Sequence, residues 1–313
     1  MASTKKNRVS RLAERLRKIR PVNSLISRAF MLWYNLPVPA THYYSPLPDP
    51  LELEKKLHRW HIDTGLPGID INLNFQKKFL LELSQYRSEC TQLPSFPEVQ
   101  AMGYGQGYGE VEAQFLYSMI RYFKPRKIIE VGSGVSTFFS LHGMEKNRRE
   151  EGTDCAITCV EPYPTALLRN ICEKKRVTLF VEEVQNTSQS VFSQLTENDI
   201  LFIDSSHVSK MDSDVNYLYL EVLPRLNKGV IIRIHDIYFP YLAAMPGHPV
   251  FRHSVLWNEA AMVRAFLCFN AAYEILLCQS YFHYREPDLL KSVSKIYDPQ
   301  RHFPSSLWLR KVA

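Results

Sequence analysis

Ile129-Glu130-Val131-Gly132-Ser133-Gly134-Val135-Ser136-Thr137 is the stretch on which the fold turns. The apolar run Lys127 to Val131 ends in two closely spaced glycines, and a helical pattern follows from Ser136 to Met144. Gly132 and Gly134 carry no side chain, so the backbone there can approach a ligand, while Ser136 and Thr137 are residues that start helices. The stretch predicts a strand, a tight turn and a helix. A bare Gly-x-Gly predicts only the turn, but here an acid also stands two residues before the first glycine.

The alternation continues downstream. Apolar runs at Cys155 to Val160, Val177 to Val181, Ile200 to Ile203 and Gly229 to Ile234 read as strands. Helical patterns separate them near Pro164 to Glu173, Ser188 to Leu195 and Asp212 to Leu223. Strands this continuously apolar belong to a parallel sheet covered on both faces. Right-handed crossovers then give a doubly wound α/β fold with its ligand site at the carboxyl ends of the strands. After a helix at Asn258 to Asn270, two last apolar runs, Tyr273 to Ser280 and Ser306 to Leu309, have no long helix between them and predict an antiparallel edge pair.

Upstream, the first hundred residues are rich in proline (Pro37, Pro39, Pro46, Pro48, Pro50, Pro94, Pro97), with helical patterns at Leu51 to Leu57 and Asn74 to Cys90. This predicts an N-terminal extension over residues 1–100 and a ligand-binding domain over residues 101–313. The net charge of +6 is concentrated in Lys5, Lys6, Arg8, Arg11, Arg15, Arg17, Lys18 and Arg20. Val9, Leu12, Leu16 and Ile19 recur there at helical spacing, so a basic amphipathic helix with weak contact to a membrane surface is expected, or a solvated helix. Beyond that tail the chain is close to neutral, which argues against nucleic acid as a partner. No apolar run reaches the length of about eighteen residues that spans a membrane. The six cysteines show no CxxC pair or zinc spacing and read as free thiols in a cytoplasmic protein.

Polar groups follow three more strands. Glu161 closes the second, Asp204-Ser205-Ser206-His207 follows the fourth, and His235-Asp236 follows the fifth. Such groups need hydration, pairing or a ligand. A nicotinamide enzyme is disfavoured, because its fingerprint wants glycine where Thr137 stands, and Glu130 would lie beside a diphosphate. An acid suits the ammonium group of S-adenosylmethionine instead, and Glu161 suits the ribose hydroxyls of an adenosine.

On these residues the sequence resembles the class I S-adenosylmethionine-dependent methyltransferases. Within them it is similar to a bacterial small-molecule and glycan subgroup reading Glu-Val-Gly-Ser-Gly-x-Ser-Thr (Glu130 to Thr137), Phe-Ile-Asp-Ser-Ser-His (Phe202 to His207) and His-Asp-Ile (His235 to Ile237). Tyr104 to Ala113, Trp257 to Glu259 and Ser306 to Arg310 extend the likeness. The resemblance implies a Rossmann-like, seven-stranded, mostly parallel sheet whose last strand is antiparallel. It implies that Glu130, Gly132, Ser133, Gly134, Ser136, Thr137, Glu161, Gln185 and Asp204 bind the cofactor. The implied reaction is O-methylation of a hydroxyl on a small molecule or glycan, the alternative being a non-catalytic module that keeps the fold. Relatives hold a divalent metal, magnesium or manganese, at positions matching Asp204, His235 and Asp236, whereas the imidazole of His235 favours a metal-free mechanism with His207 or His235 as base and Asp236 beside it. Tyr238 to Trp257 is the expected acceptor lid.

Overall fold

In the computed structural model, residues 25, 29, 31–33, 44, 45, 50–63, 65–105, 107–174 and 177–313 are described. The basic segment expected to form an amphipathic helix lies outside them. The chain divides into two compact units, Met1–Arg59 and Trp60–Ala313. In the first, Pro50–Lys55 is helical, and Glu52 pairs with Lys55 at 2.6 Å one turn later. The domain boundary expected near residue 100 thus moves to residue 59. The physical reason is visible within the second unit, where helix α1 (Leu73–Leu83) packs on the sheet edge and the Gln76 side chain accepts a hydrogen bond from the backbone of Cys278 at 2.8 Å.

Seven strands form one sheet in the order β3-β2-β1-β4-β5-β7-β6: β1 Lys127–Val131, β2 Ala156–Val160, β3 Val177–Phe180, β4 Ile200–Ile203, β5 Ile231–Ile234, β6 Tyr273–Cys278 and β7 Leu307–Lys311. All pairs from β3 to β5 are parallel, and β7 runs antiparallel to both of its neighbours. The expected antiparallel pair is present, with β6 at the edge. Successive residues of each strand serve opposite faces. Ile128, Ile157, Ile200 and Phe202 enter one apolar cluster, and Ile129, Val131, Leu201 and Ile203 enter the other. Burial on both sides is why these strands are apolar without alternation. All six cysteines are free, and among the described residues no helix is long and apolar enough to cross a membrane.

The register sets the site. Val131 pairs with Val160 and Ile203, and Ile203 pairs with Ile234. Gly132, Glu161, Asp204 and His235, each the first residue past its strand, therefore stand in one row at the carboxyl edge. The chain reverses its winding between β1 and β4, the point at which open α/β sheets leave a crevice. Because β7 is antiparallel and pairs Leu307 with Ile234, its entry residues Ser305 and Ser306 reach the same edge. Four helices bound the crevice: α2 (Glu110–Phe123), α3 (Val135–Glu151), α4 (Ala166–Lys174) and, later in the chain, α5 (Glu259–Leu267).

Candidate active site

The turn after β1 is held from three sides. Gly132 donates to the Val160 carbonyl at 3.0 Å and adopts φ +81°, and a Cβ placed on it would lie 1.9 Å from the carbonyl oxygen of Asp204. Glycine is required there by both conformation and space. A Cβ on Gly134 would stand 3.1 Å from the Tyr104 carbonyl. Ser133 donates its backbone N–H to Glu161 at 3.1 Å, and Tyr163 donates to the other Glu161 oxygen at 2.8 Å. Glu161 keeps free lone pairs on both oxygens beyond these bonds. Buried hydroxyls of Ser133 and Ser205 and the buried side-chain oxygen of Gln185 have no protein partner. A cradle that only glycine fits, with uncommitted polar atoms after β1, β3 and β4, suits a ligand carrying several hydroxyl and amine groups.

Glu130 and its neighbours do something other than expected. Its carboxyl is buried and accepts from Ser136 at 2.5 Å and from Thr137 at 2.6 Å. Thr137 in turn accepts from the Gly134 N–H at 3.1 Å. Burial pushes the Glu130 carboxyl up to about 7, the two hydroxyls pulling the other way. Glu130 is thereby tied to the start of α3 through one hydroxyl on each oxygen. Ser136 and Thr137 likewise face the protein interior.

The acid and imidazole residues after β4 and β5 converge. Asp204, His207, His235 and Asp236 each turn one atom into a group whose members lie within 4.8 Å of one another. His207 Nε2 is 3.4 Å from Asp204 and 3.5 Å from Asp236, and His235 Nδ1 is 3.2 Å and 3.4 Å from the same two carboxylates. The imidazoles are 8% and 4% exposed and the carboxylates 22% and 13%, so the group opens through its acids. His207 and Asp236 both sit in the left-handed backbone region, φ +59° and +55°. Such conformations in non-glycine residues cost about 1–3 kcal/mol and persist where surrounding contacts over-determine them.

Those contacts come from residues whose part here sequence reasoning did not assign. Glu259, opening α5, accepts from His207 Nδ1 at 2.7 Å and from the Tyr219 hydroxyl at 2.9 Å. The His207 carbonyl accepts from the N–H groups of Asn258 and Glu259, and the Trp257 ring packs at a tilt against the His207 ring, centroids 4.7 Å apart. The Trp-Asn-Glu segment is thus a clamp on His207. Glu112, in the first turn of α2, contacts His235 Nε2 at 3.0 Å and accepts from Ser306 at 2.5 Å. Tyr238 and Ser305 donate to the outer oxygen of Asp236 at 2.8 Å and 3.0 Å. Arg233, fully buried, lies 3.6 Å from Glu112 and is packed over Phe202 and Tyr108.

Charge dominates this edge. Burial disfavours the charged imidazoles, yet Asp204, Glu259 and Asp236 push His207 up to about 10. Burial acts the same way on His235, and Asp204, Asp236 and Glu112 hold it well above the usual histidine range. Burial would raise both aspartates, but the two imidazoles hold them far below the usual carboxylate range. A cavity of about 270 Å³ reaches the group through His235 and Asp236, walled by Tyr108, His248, Pro249, Val250 and Phe303. Three of these belong to the segment expected to form the acceptor lid.

Residues 129–237 match the family model described as "Methyltransferase domain". A protein of Archaeoglobus fulgidus, itself uncharacterized, is 31% identical over 170 residues, covering 52% of this chain and 75% of that one. Among solved structures, the O-methyltransferase TomG of Streptomyces achromogenes, involved in tomaymycin synthesis and solved with SAM, is 12% identical, covers 75% of this chain and 90% of its own, and gives a TM-score of 0.44. An O-methyltransferase of Bacillus cereus in complex with SAH is 14% identical with the same coverages and a TM-score of 0.41.

Proposed function

Because the chain belongs to the class I S-adenosylmethionine-dependent methyltransferases, we propose that this enzyme transfers the methyl group to a hydroxyl oxygen of a small molecule or glycan. The observation that carries this reading is the pair of carboxylate-flanked imidazoles after β4 and β5, one of which, His235, lines the cavity together with Asp236. S-adenosylmethionine supplies a methyl group already activated on a positive sulfur. The protein has to aim the acceptor and manage its charge.

Glu161, held by two backbone donors, is placed to accept the ribose hydroxyls, and Gln185 closes the far end of that strand row. The acceptor occupies the cavity against Tyr108 and Phe303. As its oxygen takes the methyl group, its proton passes to the inward nitrogen of His207 or His235, and the flanking Asp204 and Asp236 carboxylates stabilise the imidazolium that forms. Acidic hydroxyls, phenols and enols, gain most from such a site. Magnesium does not fit the residues present: two of the four inward atoms are imidazole nitrogens, and magnesium demands oxygen.

With S-adenosylmethionine labelled with carbon-13 in its methyl group and a panel of phenols, polyols and glycans, a methoxy carbon should appear in the NMR spectrum of the product. An N-methyl or S-methyl product would overturn the oxygen reading. Glu161→Ala should weaken S-adenosylhomocysteine about 10–100-fold in calorimetry, the worth of a charged hydrogen bond or two, at unchanged melting temperature. Undiminished affinity would remove Glu161 from the ribose role.

A further inference from the structure

Among the described residues that line the acceptor cavity, Tyr108 alone carries a buried side-chain oxygen or nitrogen with no protein partner. Its polar neighbours on the wall are spent. Ser305 donates to Asp236 at 3.0 Å, His248 Nδ1 accepts from the Val250 N–H at 3.1 Å, and His302 Nδ1 accepts from the Asp298 N–H at 3.0 Å. Ser133, Ser205 and Gln185 also have unpaired buried atoms, but they follow β1, β4 and β3 and do not line this cavity.

Tyr108 is 8% exposed, and its ring is fixed by its surroundings. It packs against the His235 imidazole with centroids 5.4 Å apart and planes 24° from parallel, and it inclines on Phe202 at 6.3 Å. The Arg233 guanidinium lies over the same ring at 5.0 Å. Just beyond it in the chain, Glu112 of α2 holds Nε2 of that imidazole at 3.0 Å. The hydroxyl and the imidazole are thus carried on one braced unit. A buried hydroxyl without a partner costs stability, and its persistence calls for a ligand that completes it. A phenol is protonated at neutral pH and has a hydrogen to give, whereas Glu112 and Asp236, on the same wall, offer an incoming oxygen only acceptors.

We propose that Tyr108 is a further catalytic residue, whose hydroxyl donates a hydrogen bond to the reacting oxygen of the acceptor and selects oxygen over nitrogen there. This inference rests on the O-methylation reading. A hydroxyl oxygen has two lone pairs, so one accepts from Tyr108 while the other attacks the methyl carbon. The carbon–oxygen bond forms as the carbon–sulfur bond breaks, the hydroxyl proton passes to the imidazole, and sulfur leaves neutral. A neutral amine has a single lone pair, and the hydrogen bond that would hold it would also block its attack.

The test compares Tyr108→Phe with the wild type in the carbon-13 methyl assay, using phenols, polyols and glycans beside the matching anilines and amino sugars. With the hydroxyl acceptor that the wild type methylates fastest, kcat should fall about 10²-fold at little change in KM. The ratio of oxygen to nitrogen product should fall with it. S-adenosylhomocysteine affinity should stay within twofold of the wild type. The melting temperature should not drop, because the deleted oxygen has no protein partner to lose. Wild-type kcat and product ratio in Tyr108→Phe would overturn the proposal and leave O-methylation standing. A lower melting temperature joined to lost S-adenosylhomocysteine affinity would also overturn it, by making Tyr108 a structural residue. Absence of any methoxy product from the wild type would remove the O-methylation reading itself, and this assignment with it.

Discussion

Gly132→Ala should abolish S-adenosylhomocysteine binding and cost more than about 4 kcal/mol of folding stability, in the rare upper tail of single substitutions. The added Cβ would sit 1.9 Å from the Asp204 carbonyl oxygen, far inside contact distance. Neither side can yield cheaply. Gly132 is tied to Val160, Asp204 donates its N–H to Val131 at 2.9 Å, and both strands are central in the sheet. The left-handed φ of +81° adds strain of its own. Gly152→Ala provides the control, since Gly152 has a similar φ of +69° but open space around it, and about 1 kcal/mol is expected there. Urea denaturation measures both. Equal midpoints for the two variants would mean that the turn is not packed as described.

Asp236→Asn should lower kcat about 10²–10³-fold while S-adenosylhomocysteine affinity stays within twofold. The amide has the same shape, so Tyr238 and Ser305 keep their partner on the outer oxygen. What is lost is the negative charge 3.5 Å from His207 Nε2 and 3.4 Å from His235 Nδ1, which helps to keep both rings in one charge state and orientation. The cofactor site proposed above centres on the turn after β1 and on Glu161, so its affinity is the internal check on folding. A kcat near that of the wild type would place the reacting oxygen elsewhere.

The fold was largely legible in the sequence because a strand buried on both faces must be apolar throughout, and five such runs separated by helical patterns leave few topologies. Even the antiparallel β6–β7 pair followed from the missing crossover helix. Asp204, His207, His235 and Asp236 were legible for a related reason: polar residues directly after apolar strands of a parallel sheet all fall at one edge. The boundary at residue 100 misplaced the break, because proline-rich composition says nothing about whether Leu73–Leu83 packs on β6.

Local sequence also did not show the partners of Glu130. An acid before Gly-x-Gly reads as a ligand contact, but Ser136 and Thr137 follow on the first turn of α3 and fold back onto it. Which group a carboxylate meets depends on the direction of the helix that leaves the turn.

By itself, then, the sequence determined the α/β class, the glycine turn after β1 and the four polar residues at the strand ends, since each follows from local periodicity and from strand direction. Only the tertiary structure decided that Glu112 backs His235, that Glu259 backs His207 and that Ser305 and Ser306 enter through β7. Those partners lie 123, 52 and more than 190 residues apart in sequence. Burial and hydrogen bonding between such distant residues leave no periodic trace in the chain. They exist only once antiparallel β7 and the first turns of α2 and α5 have been brought to the same edge of the sheet.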